Sequence, residues 1–308
     1  MKILITGGAG FIGSQVADAY IAEGHEVAII DNFVTGNRDN VPKQATLFEI
    51  DIEDAAAVTK AIATFAPDVV NHHAAQVDVR VAVEDPLMDA KRNIFGSLNL
   101  ILAAQQVGVK KFIYANSGGA GYGDPKPEHI PCTEDTPMSP ISPYGVSKTT
   151  VERYLYSRSV THGLQYVALR YGNVFGPRQT FGEAGVCAIF THMMLNNEQP
   201  TIFGDGSSER DYCFVGDVVA ANVAALRDKA KGAYNVGTGK GTTTNEVFAV
   251  VKDVTGYSGD PNYAPERPGE IQRIVLDSSR LQRELDWKPA TSFADGIAQT
   301  VAWMRNGK

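Results

Sequence analysis

Apolar residues follow two rhythms along this chain. Short unbroken runs at residues 2–6, 26–30, 46–50, 68–71, 111–115 and 165–170 have the length and β-branched content of strands buried on both faces. Between them, residues 11–23, 53–65, 86–107 and 144–161 place apolar positions three and four apart, which predicts amphipathic helices. Pro67, Gly108 and Gly163 stand where helices should stop. Strand and helix alternate at βαβ spacing. The predicted fold is therefore α/β, a doubly wound parallel sheet with helices on both faces and right-handed crossovers. Residues 116–143, rich in glycine and proline, predict a loop.

The texture changes after Arg170. Residues 173–185 read as a loop, 186–196 as a helix, and 200–204 and 210–215 as short extended pieces around Asp205-Gly206. Helices are expected at 217–227 and at 244–255, the latter capped by Thr243 or Thr244. Residues 261–276 read as extended, and the tail from Ser279 as two short helices around Trp287, a core residue. The chain divides near residue 172 into a first domain, 1–172, and a smaller C-terminal lobe for substrate, 173–308. Residues 233–236 form a strand placed to return to the first sheet.

Composition narrows the partners. A formal charge of −7 argues against nucleic acid, whose affinity comes from Lys and Arg at phosphates. Cys132, Cys187 and Cys213 are widely spaced and odd in number, so no disulfide framework or zinc spacing is visible. Cys187 and Cys213 read as packing residues. A reducing compartment, the cytoplasm, fits. No apolar run reaches membrane-spanning length. The N-terminus reads as a first strand and not as a signal peptide. His72 and His73 are adjacent and lack further ligands nearby, so no metal is expected.

Two motifs carry chemistry. Gly7, Gly10 and Gly13 follow the first strand and open the first helix, and the second strand ends in Asp31. This is the order of a Rossmann dinucleotide unit. Gly7 permits the tight turn, Gly10 the approach of a pyrophosphate and Gly13 close packing of helix on sheet. The helix start holds the phosphate charge. The second motif is Tyr144 and Lys148, four apart on one helical face. An ammonium beside a phenol is expected to lower the phenol's pKa from about 10, which would make Tyr144 a general base.

On these motifs the chain resembles the extended short-chain dehydrogenase/reductases, and among them the nucleotide-sugar 4-epimerases such as UDP-glucose 4-epimerase. The resemblance covers essentially the whole chain. It rests on TGGAGFIG at residues 6–13, Asp31-Asn32, Asp51-Ile52, His73-Ala74-Ala75, Asn93, Tyr144 with Lys148, LRYGN at 169–173 and RPGE at 267–270. It implies NAD as cofactor. The N–H groups of Phe11 and Ile12 would meet the pyrophosphate, and Asp31 the adenosine ribose. No Arg follows Asp31 directly, so NAD is preferred to NADP. Asp51 and Ile52 would border the adenine, Ala74 and Ala75 the diphosphate, and Asn93 and Tyr171 the cofactor, Tyr171 near the nicotinamide. Lys148 would contact the nicotinamide ribose.

The resemblance places the nucleoside diphosphate sugar in the lobe. Asn173 would contact diphosphate or sugar, the segment from Val186 to Phe190 would line the base, and Phe203 would lie beside it. Arg210 and Arg267 are candidate phosphate clamps. Asp217 is expected to bond local backbone or Arg210, and Ile274 to limit the sugar pocket. Relatives carry Ser or Thr five residues before the glycine of a Tyr-Gly pair; here Gly118 falls there. Either Ser117 or a water supplies the hydroxyl, or Tyr144 acts without it. The glycines and alanine here also lack the Asp-Glu pair of sugar 4,6-dehydratases. The implied reaction is epimerisation at carbon 4, of UDP-glucose and UDP-galactose first, then of UDP-N-acetylhexosamines or UDP-glucuronate. A related dehydratase or oxidoreductase and a non-catalytic sensor are the alternatives. A homodimer through helices at 86–107 and 144–161 is implied as well.

Overall fold

The computed structural model describes residues 1–180, 185–266 and 271–306. Seven strands form one parallel sheet in the order Gly232–Val236, Gln165–Tyr171, Lys111–Ser117, Val69–His72, Lys2–Thr6, Glu26–Asp31, Thr46–Glu49. This is the doubly wound arrangement the alternation predicts. The chain starts in the middle, works to one edge, then crosses back and works to the other.

The strands are apolar on both faces because both faces are covered. Ile3 and Ile5 pack with Val16, Ala17 and Tyr20 of the helix Phe11–Ala22. Leu4, between them, points the other way and packs with Val58, Ile62 and Leu100. A third cluster, around Phe175, Phe190, Phe214, Val247 and Ile297, is the core of the second lobe. That lobe is organised on Glu209–Phe214, which pairs with Asn173–Phe175, Gly241–Thr243 and Arg273–Ile274.

Several expectations need correction. Asn173–Phe175, read as loop, is a strand, because Glu209–Phe214 offers it a pairing edge. The stretch 116–143 contains a five-residue helix, Gly118–Tyr122, capped by the Ser117 hydroxyl, which accepts from Ala120 N at 3.2 Å. The helix expected at 86–107 is three pieces: Pro86–Ala90, a π-helical turn Lys91–Phe95, and Gly96–Gln106. A further helix, Val79–Glu84, precedes them. Asp217 bonds neither local backbone nor Arg210; it accepts from Ala290 N at 2.9 Å and Thr291 N at 3.2 Å. Trp287, 4% exposed, is core. No helix among the described residues is long and apolar enough to cross a membrane.

Gly232–Val236 lies beside Gln165–Tyr171, so the main sheet draws strands from both sides of residue 172. The sequence also marks its helix ends. Thr243 and Glu246 form a capping box at Thr244–Thr255. Ser142 caps Pro143–His162, which Gly163 closes in the left-handed conformation.

Candidate active site

The candidate residues gather at the C-terminal edge of the sheet, where Lys2–Thr6 and Val69–His72 run side by side and their helices leave to opposite faces. Gly7 has φ of +67°, and its carbonyl accepts from Gly10 N at 3.1 Å. A Cβ on Gly13 would run into the Gly7 carbonyl, and one on Gly7 would lie 2.7 Å from Ala74 N. A Cβ on Gly10 would meet only the Gly7 carbonyl, at 3.3 Å, so protein closes on two of the glycines and leaves one side of the third open. No side chain caps the helix Phe11–Ala22. Among the described residues the N–H groups of Phe11, Ile12 and Gly13 have no partner. Orphan donors at a helix start suit an anion.

The acid beside this turn is already half committed. Asp31 accepts from Ala9 N and Phe33 N, each at 2.9 Å. A carboxylate has about four acceptor directions, so two stay available to a diol. Asn32 donates to Asp51 at 2.8 Å, which brings the residues expected at an adenine to one place. Ile52, buried, packs against Gly96, which opens the helix Gly96–Gln106. Ala74 and Ala75 leave the end of Val69–His72, with Ala74 N bonded to Thr6 Oγ1 at 3.1 Å. Asn93 acts on this loop indirectly: its amide spans Gln76 N at 2.8 Å and Gln76 O at 3.0 Å, and its second N–H goes to Asp89. These residues fit a bound dinucleotide.

Tyr144 and Lys148 lie one turn apart at the start of Pro143–His162. The expected coupling is reversed in the chain alone. Burial pushes the Tyr144 phenol up to about 12 and the Lys148 amine down to about 7. The ammonium rests over the Tyr114 ring, 4.6 Å from its centre. The Ser117 hydroxyl acts the other way and lowers the phenol. Of the alternatives for the missing hydroxyl, Ser117 has a side chain near enough to act on Tyr144. A Cβ at Gly118 would lie 2.7 Å from a Leu276 methyl and 3.2 Å from the Tyr171 carbonyl, so a hydroxyl residue there would require the Leu276 side chain to shift.

The imidazoles beside Lys148 are neutral. His72 is held by Thr6 at 2.6 Å and Ser97 at 2.8 Å, and burial pushes it well below the ordinary range. Burial takes His73 down to about 3, and its ring stacks on Tyr171 with centroids 6.4 Å apart. Tyr171 is buried, its hydroxyl bonded by Asn222 at 2.9 Å.

Behind Ser117 lies a buried ion pair absent from the sequence reading. Arg170 bonds Glu152 at 3.0 and 2.5 Å, both residues 4% exposed. Glu152 also accepts from Asn116 at 2.6 Å, and Asn116 accepts from Ser117 N at 2.8 Å. Asp89, Gln76 and Ser147 were missed as well. The available signals were slight: Glu152 lies eight residues after Tyr144, on one helical face, and Asp89 four before Asn93.

In the lobe, Asn173 stands opposite Tyr212, one strand from Glu209–Phe214 where Arg210 lies. Its side-chain oxygen is 3.6 Å from where a Gly119 Cβ would be, which brings it to the Ser117 segment. Arg210 Nη1 donates to Glu209 O at 3.0 Å. Val186 opens the helix Val186–Leu195. Phe203 lines a polar groove of about 400 Å³ with Asp205, Ser208, Glu266 and Gln272. Ile274 is buried among Tyr122, Cys132 and Leu276, and it is Leu276 that reaches Gly118. Arg267 lies outside the described residues.

Residues 3–237 match the model of the NAD dependent epimerase/dehydratase family. The chain is 41% identical over 313 residues to the UDP-glucose 4-epimerase of Mycolicibacterium smegmatis, covering 99% of each. The fold matches a crystal structure of UDP-glucose 4-epimerase with UDP-glucose from Thermotoga maritima, with a TM-score of 0.97, 44% identity and coverage of 100% and 99%. It also matches the UDP-glucose 4-epimerase of Thermus thermophilus in complex with NAD, with a TM-score of 0.95, 43% identity and full coverage of both chains. Sequence motifs, sheet order and likeness over the full length agree: this chain belongs to the NAD dependent epimerase/dehydratase family.

Proposed function

We propose that this protein is an NAD-dependent 4-epimerase of nucleotide sugars that interconverts UDP-glucose and UDP-galactose. The observation that carries the reading is that Ser117, Tyr144 and Lys148 gather at the end of the sheet whose first strand leads into the uncapped helix start at Phe11, within one family-typical frame. Phe11, Ile12 and Gly13 hold the cofactor diphosphate, and Asp31 the adenosine ribose. Bound NAD supplies a hydride acceptor that returns the hydride to carbon 4. Tyr144 takes the proton of the sugar 4-hydroxyl, with Ser117 bonding the same oxygen, and gives it back when the 4-keto sugar has turned over. Lys148 orients the cofactor ribose and supplies positive charge beside the phenolate. Asn173 and Arg210, with Arg267, hold the diphosphate of the substrate, and Val186 and Phe203 border its base. Purified protein incubated with UDP-glucose and no added NAD is expected to yield the 4-epimer by NMR, with no accumulated keto sugar. Accumulation of a keto sugar would favour a dehydratase or oxidoreductase instead.

The exposed faces support a homodimer. Leu87, Phe95 and Leu102 are 82%, 62% and 42% exposed, and Val146, Tyr154 and Val160 are 47%, 42% and 68% exposed on the neighbouring helix. A groove of about 430 Å³ runs along that helix between Pro140, Val146, Arg153 and Tyr154. Such a surface exceeds what single scattered apolar residues need. Sedimentation should give twice the chain mass; monomer at micromolar concentration rules this pairing out. The three cysteines are free and buried, which suits the cytoplasm.

A further inference from the structure

The carboxylate of Asp89 has no part in the mechanism above, yet it is fully buried beside it. It lies in Pro86–Ala90. One oxygen accepts from Asn93 at 2.9 Å and Gln76 at 3.3 Å, the other from the Ser147 hydroxyl at 2.5 Å. All three donors are uncharged. Two of them are amide nitrogens, which can only donate, so the site is built for the anion. A buried anion is costly unless a positive charge answers it.

The three donors come from three elements. Gln76 is in the loop after Val69–His72, Asn93 in the π-helical turn, and Ser147 in Pro143–His162, next to Lys148. Asp89 thus ties the loop that begins at Ala74 to the helix that carries the reacting pair.

The charges around Lys148 can be taken element by element. His72 and His73, at the end of Val69–His72, are neutral. Lys111–Ser117 presents the face of Tyr114. On its own helix stand Tyr144 and Glu152, and Glu152 is committed to Arg170 of Gln165–Tyr171. Pro86–Ala90 presents Asp89. Burial drives Lys148 towards neutrality and the charge of Asp89 opposes it; the same charge pushes Tyr144 up.

We propose that Asp89 is a positioning residue for the Tyr144–Lys148 pair: its carboxylate, anchored by Asn93, Gln76 and Ser147, is the counter-charge of the Lys148 ammonium. The inference rests on the epimerase reading. The test is the pH dependence of kcat/KM of the NAD-loaded protein with UDP-glucose. Asp89→Asn keeps the shape and removes the charge. Both protons of the pair are then held less tightly, so both limbs of the profile move to lower pH by about one unit. Asp89→Glu restores the charge and returns the limbs, whatever its plateau. A residue with only a structural role lowers the plateau and leaves the limbs in place, so coincident limbs in Asp89→Asn overturn the proposal. If Asp89→Asn does not fold, Asp89→Ser, which also removes the charge, takes its place, and coincident limbs there overturn the proposal. A second readout needs no turnover: in ¹³C-lysine-labelled protein, the Lys148 signal, assigned with Lys148→Met, should titrate with about tenfold weaker proton affinity in Asp89→Asn. An unmoved titration overturns the proposal. Should the unsubstituted protein form no 4-epimer, the epimerase reading fails, and this titration still judges Asp89.

Discussion

Tyr144→Phe is expected to lower kcat about a thousandfold or more while NAD stays bound and the protein stays folded. A positioned general base contributes roughly 10²–10⁴-fold, and the proposed mechanism gives that role to this phenol. The ring survives the substitution, so its packing survives too. Lys148 remains over Tyr114 and the glycine turn is untouched. The variant loses one hydroxyl, the group whose pKa Ser117 lowers. NAD released on denaturation should match the unsubstituted protein in amount, and turnover read by NMR should not. A variant with undiminished turnover would sink the assignment of Tyr144.

Glu152→Ala should produce the largest loss of stability. Arg170 and Glu152 are each 4% exposed, and the guanidinium meets the carboxylate at 3.0 and 2.5 Å. Breaking such a pair from one side strands a charge in the interior, at a cost of roughly 3–5 kcal/mol. For a chain of this size that corresponds to a fall in Tm on the order of ten degrees. Activity should drop as well, because Asn116 loses its acceptor and Asn116 fixes the backbone of Ser117. Adding Arg170→Met should recover part of the stability, since no buried charge is then left alone. Thermal unfolding of the single and the double variant decides; a single variant as stable as the unsubstituted protein contradicts the account.

How much of this could be read beforehand depended on how local each feature was. Six of the seven strands of the main sheet and the helices Phe11–Ala22, Ala55–Phe65 and Pro143–His162 follow from apolar periodicity, because each is a property of its own segment. The glycine turn and the Tyr144–Lys148 pair were legible for the same reason. Asn173–Phe175 was not, since three residues make a strand only when another strand offers an edge. Gly118–Tyr122 was not, because glycines disfavour a helix and only the Ser117 cap and surrounding packing hold it. Asp89 meets Ser147 across 58 residues, and Glu152 meets Asn116 across 36, spacings that leave no pattern in a sequence. The direction of the Tyr144 shift was misread for a related reason. Adjacency on a helix is visible in the chain, whereas depth of burial belongs to the whole fold.

The strand Gly232–Val236 has a consequence for synthesis. When residue 172 has left the ribosome, six of the seven parallel strands exist and Gln165–Tyr171 is an open edge. Its backbone groups wait about sixty residues for their partner. Unpaired edges of apolar strands invite other chains. The second lobe is therefore also the source of the stave that closes the first. Its own core takes Phe175, Phe190 and Phe214 from the segment in between and waits for Val247 and Ile297 beyond it, so nascent chains should be most exposed to misassembly while that lobe is still being made.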